Sequence, residues 1–448
     1  MLSRGHRKKK HFLLQIATAL FFSSAVFSQN NSASSKPNII YIMADDMGYA
    51  DLSCYGRKEY STPNLDKLAS EGMKFMNAYA AAPVCTPTRA AFMTGRYSAR
   101  VPIGLREPAI PGRDSAVGLS AEIPSIASRL KTAGYETALI GKWHLGFVNK
   151  FAPNQNGFDY FYGIRTGAAD YISHKGDGGR IHDLYENEDS VYENGYLTDI
   201  FSDKAVKFLK RKHEQPFFLC LTFTAPHWPW QVPGDAPYPD TMRWTNGGTI
   251  ETYGVMMRTL DEAVSNILKT VNELGMSNNT LVIFTSDNGG EKFSDMGGYR
   301  GKKLMLLEGG IRVPAFVRWP GKIKPNSTTT QVATTLDWTA TILAAAGAKP
   351  NKDFPLDGVD LLPVCIGQAK PFDRTLYWRT IERSHHKAIR DGNWKYLKVD
   401  NEEFLFDLSQ DPTEKNNLRD KESAKFQELK NKYAAWEAMM LPTFVKSQ

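Results

Sequence analysis

Two stretches decide the fold: NIIYIMADDMG, Asn38 to Gly48, and TLVIFTSDNGG, Thr280 to Gly290. Each is an apolar run without polar alternation that stops abruptly at carboxylate or amide side chains followed by glycine. A strand covered on both faces reads as such a continuous run, whereas a strand with one wet face alternates. ETALIGKW (Glu136 to Trp143) and FFLCLTFTAP (Phe217 to Pro226) have the same grammar. Helical periodicity appears at Asn64 to Glu71, Ile123 to Ala133 and Leu197 to Lys212. Buried strands alternating with amphipathic helices predict an α/β sheet with helices on both faces. In such sheets ligands gather beyond the carboxyl ends of the strands.

That rule makes the strand ends the place to look for chemistry. Asp45, Asp46, Asp287 and Asn288 end the two deciding runs. If those strands are neighbours, four oxygen-bearing side chains converge, a donor set suited to Ca²⁺ and less well to Mg²⁺. Taken singly, Asp-Asp and Asp-Asn-Gly are also ordinary turn chemistry. Cations sit at other strand ends: Lys142 and His144 in ALIGKWHLG, which strand alternation places on one face, and His227 in TAPHWPW. Arg300, Lys302 and Lys303 fall in a glycine-rich loop, GYRGKKLMLLEGGIRVP, whose backbone can approach a ligand closely.

A chain of 448 residues with 42% hydrophobic and 12% aromatic residues is long enough for one large globular domain and a smaller appendage. Its first residues read as an export signal, residues 1–28. A basic MLSRGHRKKKH precedes an apolar FLLQIATALFF too short for a stable membrane span, and SSAVFSQ supplies small residues for cleavage. A periplasmic or secreted location follows. Without Arg4, Arg7, Lys8, Lys9 and Lys10, 50 of the 55 basic residues remain against 48 acidic ones. The basicity is mostly targeting, and nothing argues for a nucleic-acid footprint.

Four cysteines, Cys54, Cys85, Cys220 and Cys365, are widely spaced and form no CxxC pair, which disfavours a disulfide framework or a zinc site. Cys85 has the unusual setting, CTPTR followed by AAFMTGR (Cys85 to Arg96). This string resembles the signature of the type I, formylglycine-dependent sulfatases of the alkaline phosphatase-like superfamily. ADDMGYADLSCYG, TPNLDKLASEGMKF, GYETALIGKWHLG, FTSDNGG and RGKKLMLLEGGIRVP resemble further blocks of that family in its order, from about Pro37 to Ala348. Within it the likeness is to bacterial exported arylsulfatases and N-acetylgalactosamine-6-sulfatases.

The resemblance implies an α/β/α sandwich with a large mixed sheet over residues 36–348, and hydrolysis of a sulfate ester. In that family the cysteine is oxidised before export to Cα-formylglycine, whose hydrate attacks sulfur, so a formylglycine-generating enzyme becomes a partner in maturation. Ca²⁺ would be held by Asp45, Asp46, Asp287, Asn288 and the modified Cys85. Arg89 would hold the hydrate, Lys142 and Lys303 would clamp sulfate, and His227 would protonate the leaving oxygen. His144 would deprotonate the second hydroxyl of the hydrate and so free the sulfate. The adjacent lysines leave a choice of register, and aligning Arg300, Gly301 and Glu308 with the family pattern assigns the role to Lys303. A phosphodiester or phosphonate monoester hydrolase of the same superfamily, or a non-catalytic glycan-binding relative, stays open on the same residues.

The substrate is expected to be a sulfated polysaccharide or glycosaminoglycan fragment. Three segments rich in aromatic, His and Arg residues, Arg165 to Tyr185, Trp228 to Trp244 and Trp378 to His386, have the composition to stack on sugars and pair with further anions. Beyond residue 348 the runs TLYWRT, KAIRDG, WKYLKV and EFLFDL, then ESAKFQELKNKYAAWEAMM, predict a small antiparallel sheet covered by a helix. These form a C-terminal subdomain, residues 349–448.

Overall fold

The structure, a computed structural model, describes residues 1–2, 36–176, 179–239, 243–382 and 385–442. The expected export signal therefore lies outside the described residues apart from its first two. Strands β1 (Asn38–Ala44), β2 (Met73–Tyr79), β3 (Glu136–Lys142) and β4 (Tyr160–Ile164) come first in the chain. Four two-residue strands follow, β5 (Lys175–Gly176), β6 (Ile181–His182), β7 (Tyr185–Glu186) and β8 (Asp189–Ser190). Then come β9 (Phe217–Thr222), β10 (Thr280–Ser286), β11 (Ala315–Arg318) and β12 (Ser327–Thr334). Ten of these form one sheet in the order β12-β2-β11-β10-β1-β9-β3-β4-β7-β8. The central strands β10, β1, β9, β3 and β4 are parallel, while β11 runs antiparallel to both β10 and β2, so the sheet is mixed.

The apolar runs are explained by cover on both sides. Ile40 and Ile42 of β1 pack with Leu219, Leu221, Val282 and Phe284 in one core. That core is closed by α1 (Pro63–Ser70), α4 (Leu197–Leu209) and α5 (Ile250–Glu273). Ile39, Tyr41 and Met43 point the other way, into a core with Phe218, Cys220 and Ile283. Helices α2 (Cys85–Thr94), α3 (Ile126–Thr132) and α7 (Thr335–Ala345) cover it. Tyr41 stacks on Phe92 of α2 with centroids 3.9 Å apart, which ties the central strand to the helix that starts at Cys85.

Expected boundaries shift by local chemistry. The pattern at Ile123 to Ala133 becomes helical only at Ile126, because the Ser125 side chain accepts a hydrogen bond from Ser128 N and caps the helix. The 24-residue α5, the longest of the described helices, was not among the expected ones, although Thr249 caps it by accepting from Thr252 N.

The predicted C-terminal elements are present as an antiparallel meander, β13 (Thr375–Arg379), β14 (Lys387–Asp391), β15 (Trp394–Val399) and β16 (Glu402–Asp407), with α9 (Ser423–Glu437) against it. Two short helices, α6 (Glu308–Ile311) and α8 (Leu362–Cys365), complete the inventory of described α-helices. The meander reaches the main sheet through an apolar cluster containing Tyr79, Ile311 and Val332 on one side and Leu376, Trp378 and Leu397 on the other. Lys395 of β15 is wholly buried between Glu308 Oε1 at 2.9 Å and Glu414 Oε1 at 2.8 Å. Burial opposes its charge, yet the two carboxylates raise its pKa. Glu308 also accepts from Tyr79 Oη at 2.6 Å and Arg312 at 3.3 Å, so this ionic knot joins three parts of the fold.

Removing one partner from a buried ion cluster leaves uncompensated charge. Lys395→Met is expected to lower unfolding free energy by about 3–5 kcal/mol, read from the midpoint of equilibrium urea unfolding.

Candidate active site

β1 and β10 pair in parallel with Ala44 opposite Ser286, so Asp45 and Asp46 leave one strand in step with Asp287 and Asn288 leaving the other. Residues some 240 positions apart in sequence thus meet, and Asp46 N donates to Asp287 Oδ1 at 3.1 Å. All four side chains are buried. Asp46 adopts a left-handed φ of 62°, which turns its side chain back across the strand ends.

Cys85 is the first residue of α2, after Val84 in an extended conformation. The turn before it is pinned by Thr88, whose hydroxyl accepts from Ala82 N at 3.1 Å and donates to Ala82 O at 2.9 Å. Pro87 sits in the first helical turn, where its missing N–H costs nothing. Arg89 lies one turn beyond Cys85 on the same face. Its guanidinium donates twice to Asp287 Oδ2, at 3.1 and 2.9 Å, and once to Lys142 O at 3.0 Å.

The carboxylates are met by cations. Lys142 Nζ lies 2.7 Å from Asp45 Oδ2, and Lys303 Nζ lies 2.6 Å from Asp46 Oδ2 and 3.5 Å from Glu291. Asn288 Nδ2 donates to Asp46 Oδ1 at 2.7 Å. Burial opposes the charge of Asp46, but Lys303, His227 and Lys142 outweigh it and hold its pKa at about 2. Asp287 is pushed up to about 6 by burial and by Asp45, against the pull of Arg89. Burial likewise raises Asp45 against Lys142 and Arg89. Three carboxylates crowded in a low-dielectric site therefore differ in how firmly they keep their charge.

Two histidines complete the ring. His144 Nε2 is 3.0 Å from Ala109 O, and a carbonyl only accepts, so Nε2 carries the proton and Nδ1 presents a lone pair. That Nδ1 is buried and has no hydrogen-bond partner among the described residues. Burial, then Lys142, lowers the His144 pKa to about 3, so the ring is neutral at ordinary pH. The alternation expected to carry Lys142 and His144 to one face stops short. β3 ends at Lys142 and His144 has φ 56°, so the lysine is enclosed beside Asp45 while the histidine lines a cavity. His227 Nδ1 lies 2.6 Å from Trp228 O, which leaves Nε2 as the acceptor facing Lys303 Nζ at 3.2 Å. Burial and Lys303 hold His227 well below the usual imidazole range.

The cavity has a volume of about 560 Å³, and Cys85, His144, His227 and Lys303 all reach it. The loop carrying Lys303 is held between the other two: Lys303 N donates to Gly290 O at 3.1 Å and Leu304 N to Pro83 O at 2.8 Å. Lys302, its neighbour, is exposed. Two of the three aromatic-rich segments contribute walls, through Thr166 to Ala168 and Arg180, and through Trp228, Arg243 and Trp244. The third contributes no described residue to the lining. Instead Glu382 accepts from Glu107 N at 2.8 Å and so braces the wall segment Pro108 to Pro111. That segment and Glu291 are lining elements that sequence reading missed, since neither carries a periodic or motif signal.

Does the site suit a metal ion? Among the described residues, Asp45 Oδ1 and Asn288 Oδ1 are buried acceptors without a hydrogen-bond donor, Arg89 coming no nearer than 3.6 Å to the first, and such oxygens suit a cation. Among the described residues, ligand atoms of Asp45, Asp46 and His227 lie within 4.8 Å of one another. The oxygen donors fit a hard divalent cation, whereas His227 Nε2, 3.4 Å from Asp46 Oδ2, faces Lys303. No disulfide joins the four cysteines.

Residues 37–348 match the family model described as Sulfatase, and residues 297–437 match the model of the N-sulphoglucosamine sulphohydrolase C-terminal region. The chain is 34% identical over 374 residues to arylsulfatase J of Mus musculus, covering 81% of this chain and 61% of that protein's length. It is 30% identical over 482 residues to the N-acetylgalactosamine-6-O-sulfatase of Bacteroides thetaiotaomicron, covering 88% of this chain and 91% of that one. The solved structure of Ps i-CgsB in complex with k-i-k-neocarrahexaose superposes with a TM-score of 0.82 at 32% identity, over 92% of this chain and 94% of that chain. With the mixed sheet, the Cys85 helix and these matches together, the chain belongs to the sulfatase family of sulfuric ester hydrolases, within the alkaline phosphatase-like superfamily.

Proposed function

We propose that this protein is an exported hydrolase that removes sulfate from a sulfated carbohydrate, a polysaccharide or glycosaminoglycan fragment, with Cys85 as the modified catalytic position. The observation that carries the reading is the placement of Cys85 at the start of α2, opening on the cavity with Arg89 fixed one turn beneath it. Conversion to Cα-formylglycine by a formylglycine-generating enzyme would supply an aldehyde hydrate there, an oxygen nucleophile that a thiol is not. Asp45, Asp46, Asp287 and Asn288, with the modified residue 85, would hold Ca²⁺, which polarises sulfate oxygens and lowers the charge that the nucleophile must meet.

The remaining work belongs to the chain's own side chains. Arg89, anchored on Asp287, directs its charge at residue 85. Lys303 reaches the cavity and clamps the sulfate, where fixed positive charge is most effective because no solvent must reorganise. Lys142, enclosed beside Asp45, sets the field from behind and holds that carboxylate in place. His144 takes a proton at Nδ1, the lone pair left open by the Ala109 contact. His227 delivers a proton from Nε2 to the departing sugar oxygen, and an anionic substrate alongside favours the imidazolium this requires. Residues 1–28 act as the export signal, giving a periplasmic or secreted enzyme.

Two outcomes test this reading. In protein made alongside a formylglycine-generating enzyme, the tryptic peptide across Cys85 is expected to show the aldehyde or its hydrate. Cys85→Ala should then abolish sulfate release, and Cys85→Ser, with one hydroxyl where the hydrate has two, should turn over once at most. An unmodified thiol in active protein would overturn the mechanism. For the metal, dialysis against a chelator should remove activity and lower the melting temperature, and Ca²⁺ should restore both better than Mg²⁺. Asn288→Ala should raise the Ca²⁺ concentration needed by about tenfold or more, measured by melting temperature against added ion, on the loss of one oxygen ligand.

A further inference from the structure

The wall of the cavity runs outward from the sulfate clamp in a definite order. Lys303 Nζ lies 5.8 Å from the centre of the Trp228 ring, and the Trp244 ring lies 6.3 Å from that of Trp228. Arg243, next in the chain, lines the same cavity and is exposed. It makes no ion pair among the described residues, whereas Arg89, Lys142 and Lys303 are each committed to a carboxylate. The acidic lining residue, Glu291, is engaged with Lys303 at 3.5 Å.

An exposed guanidinium of that cavity's lining, without an ion pair among the described residues and separated from the clamp by two indoles, is a second point of charge recognition. Indole faces accept the apolar face of a sugar ring. A guanidinium fork matches a carboxylate or a second sulfate bidentately. Resting on the sulfatase reading, we infer that Arg243 selects substrates carrying a second anionic group, a uronate carboxylate or another sulfate, on the sugar lying along Trp228 and Trp244. Arg243 does no chemistry here; it binds. Its contribution falls on substrate capture, and added salt weakens it because the residue is exposed to solvent.

The test is a panel of sulfated disaccharides, each with and without a second anion, the carboxylate being masked as its methyl ester in the controls. With Arg243→Gln, KM for the di-anionic members should rise about three- to tenfold with kcat unchanged, and KM for the mono-anionic controls should stay put. Arg243→Lys, which keeps the charge and loses the fork, should fall between. An equal change for both sets, or none, overturns the inference. The same panel titrated against Cys85→Ala gives the affinity ratio without turnover. Absence of sulfate release by the mature enzyme would therefore sink the hydrolytic reading alone, while equal affinity for di-anionic and mono-anionic members in Cys85→Ala, which keeps Arg243, would sink this one alone.

Discussion

The parallel pairing of β1 with β10 is the constraint on which the site depends. One register step sets Ala44 against Ser286 and so delivers Asp45, Asp46, Asp287 and Asn288 to a single point. A slip by one residue would send alternate side chains to the opposite face and scatter the four groups. The register is enforced from both sides, because the inward residues of each face of β1 belong to separate apolar cores. Burying three carboxylates at that point is tolerable only because Arg89, Lys142 and Lys303 arrive from three other segments.

Those cations are themselves held by structure far from the strand ends. Arg89 depends on α2, whose start is fixed by the Thr88 hydroxyl and whose flank is stacked on Tyr41. Lys303 depends on a loop laced to Gly290 and Pro83 and followed by Glu308, which Lys395 of the C-terminal meander grips in full burial. The meander is therefore coupled to the loop that bears Lys303, although none of its strands lines the cavity. Function and stability meet at Glu308, held at a pKa of about 2 because Lys395, Arg312 and Arg390 outweigh its burial.

Hydrogen bonding to backbone carbonyls also distinguishes the two histidines. Both are neutral in the free protein, but each hydrogen bond to a carbonyl fixes a different nitrogen as the open one, Nδ1 in His144 and Nε2 in His227. One lone pair has no partner among the described residues, and the other faces an ammonium. Two identical side chains thereby present different ring nitrogens, each fixed by its contact to a backbone carbonyl.

The mixed α/β architecture, the C-terminal meander and the chemical character of the strand ends were legible in the chain itself. Continuous apolar runs imply strands covered on both faces, and CTPTR with its companion blocks resembles one family in order. Local patterns carry such information because side-chain periodicity and turn chemistry act over a few residues. The tertiary structure alone decided what long-range packing controls: that Lys142 lies enclosed while His144 reaches the cavity, and that Asp46 is the carboxylate Lys303 meets. It also decided that Pro108 to Pro111 and Glu291 line the site, and that Arg243 has no carboxylate partner among the described residues. Each of these rests on which segments touch across tens or hundreds of intervening residues, and on left-handed backbone at positions such as Asp46 and His144, which strand alternation cannot foresee.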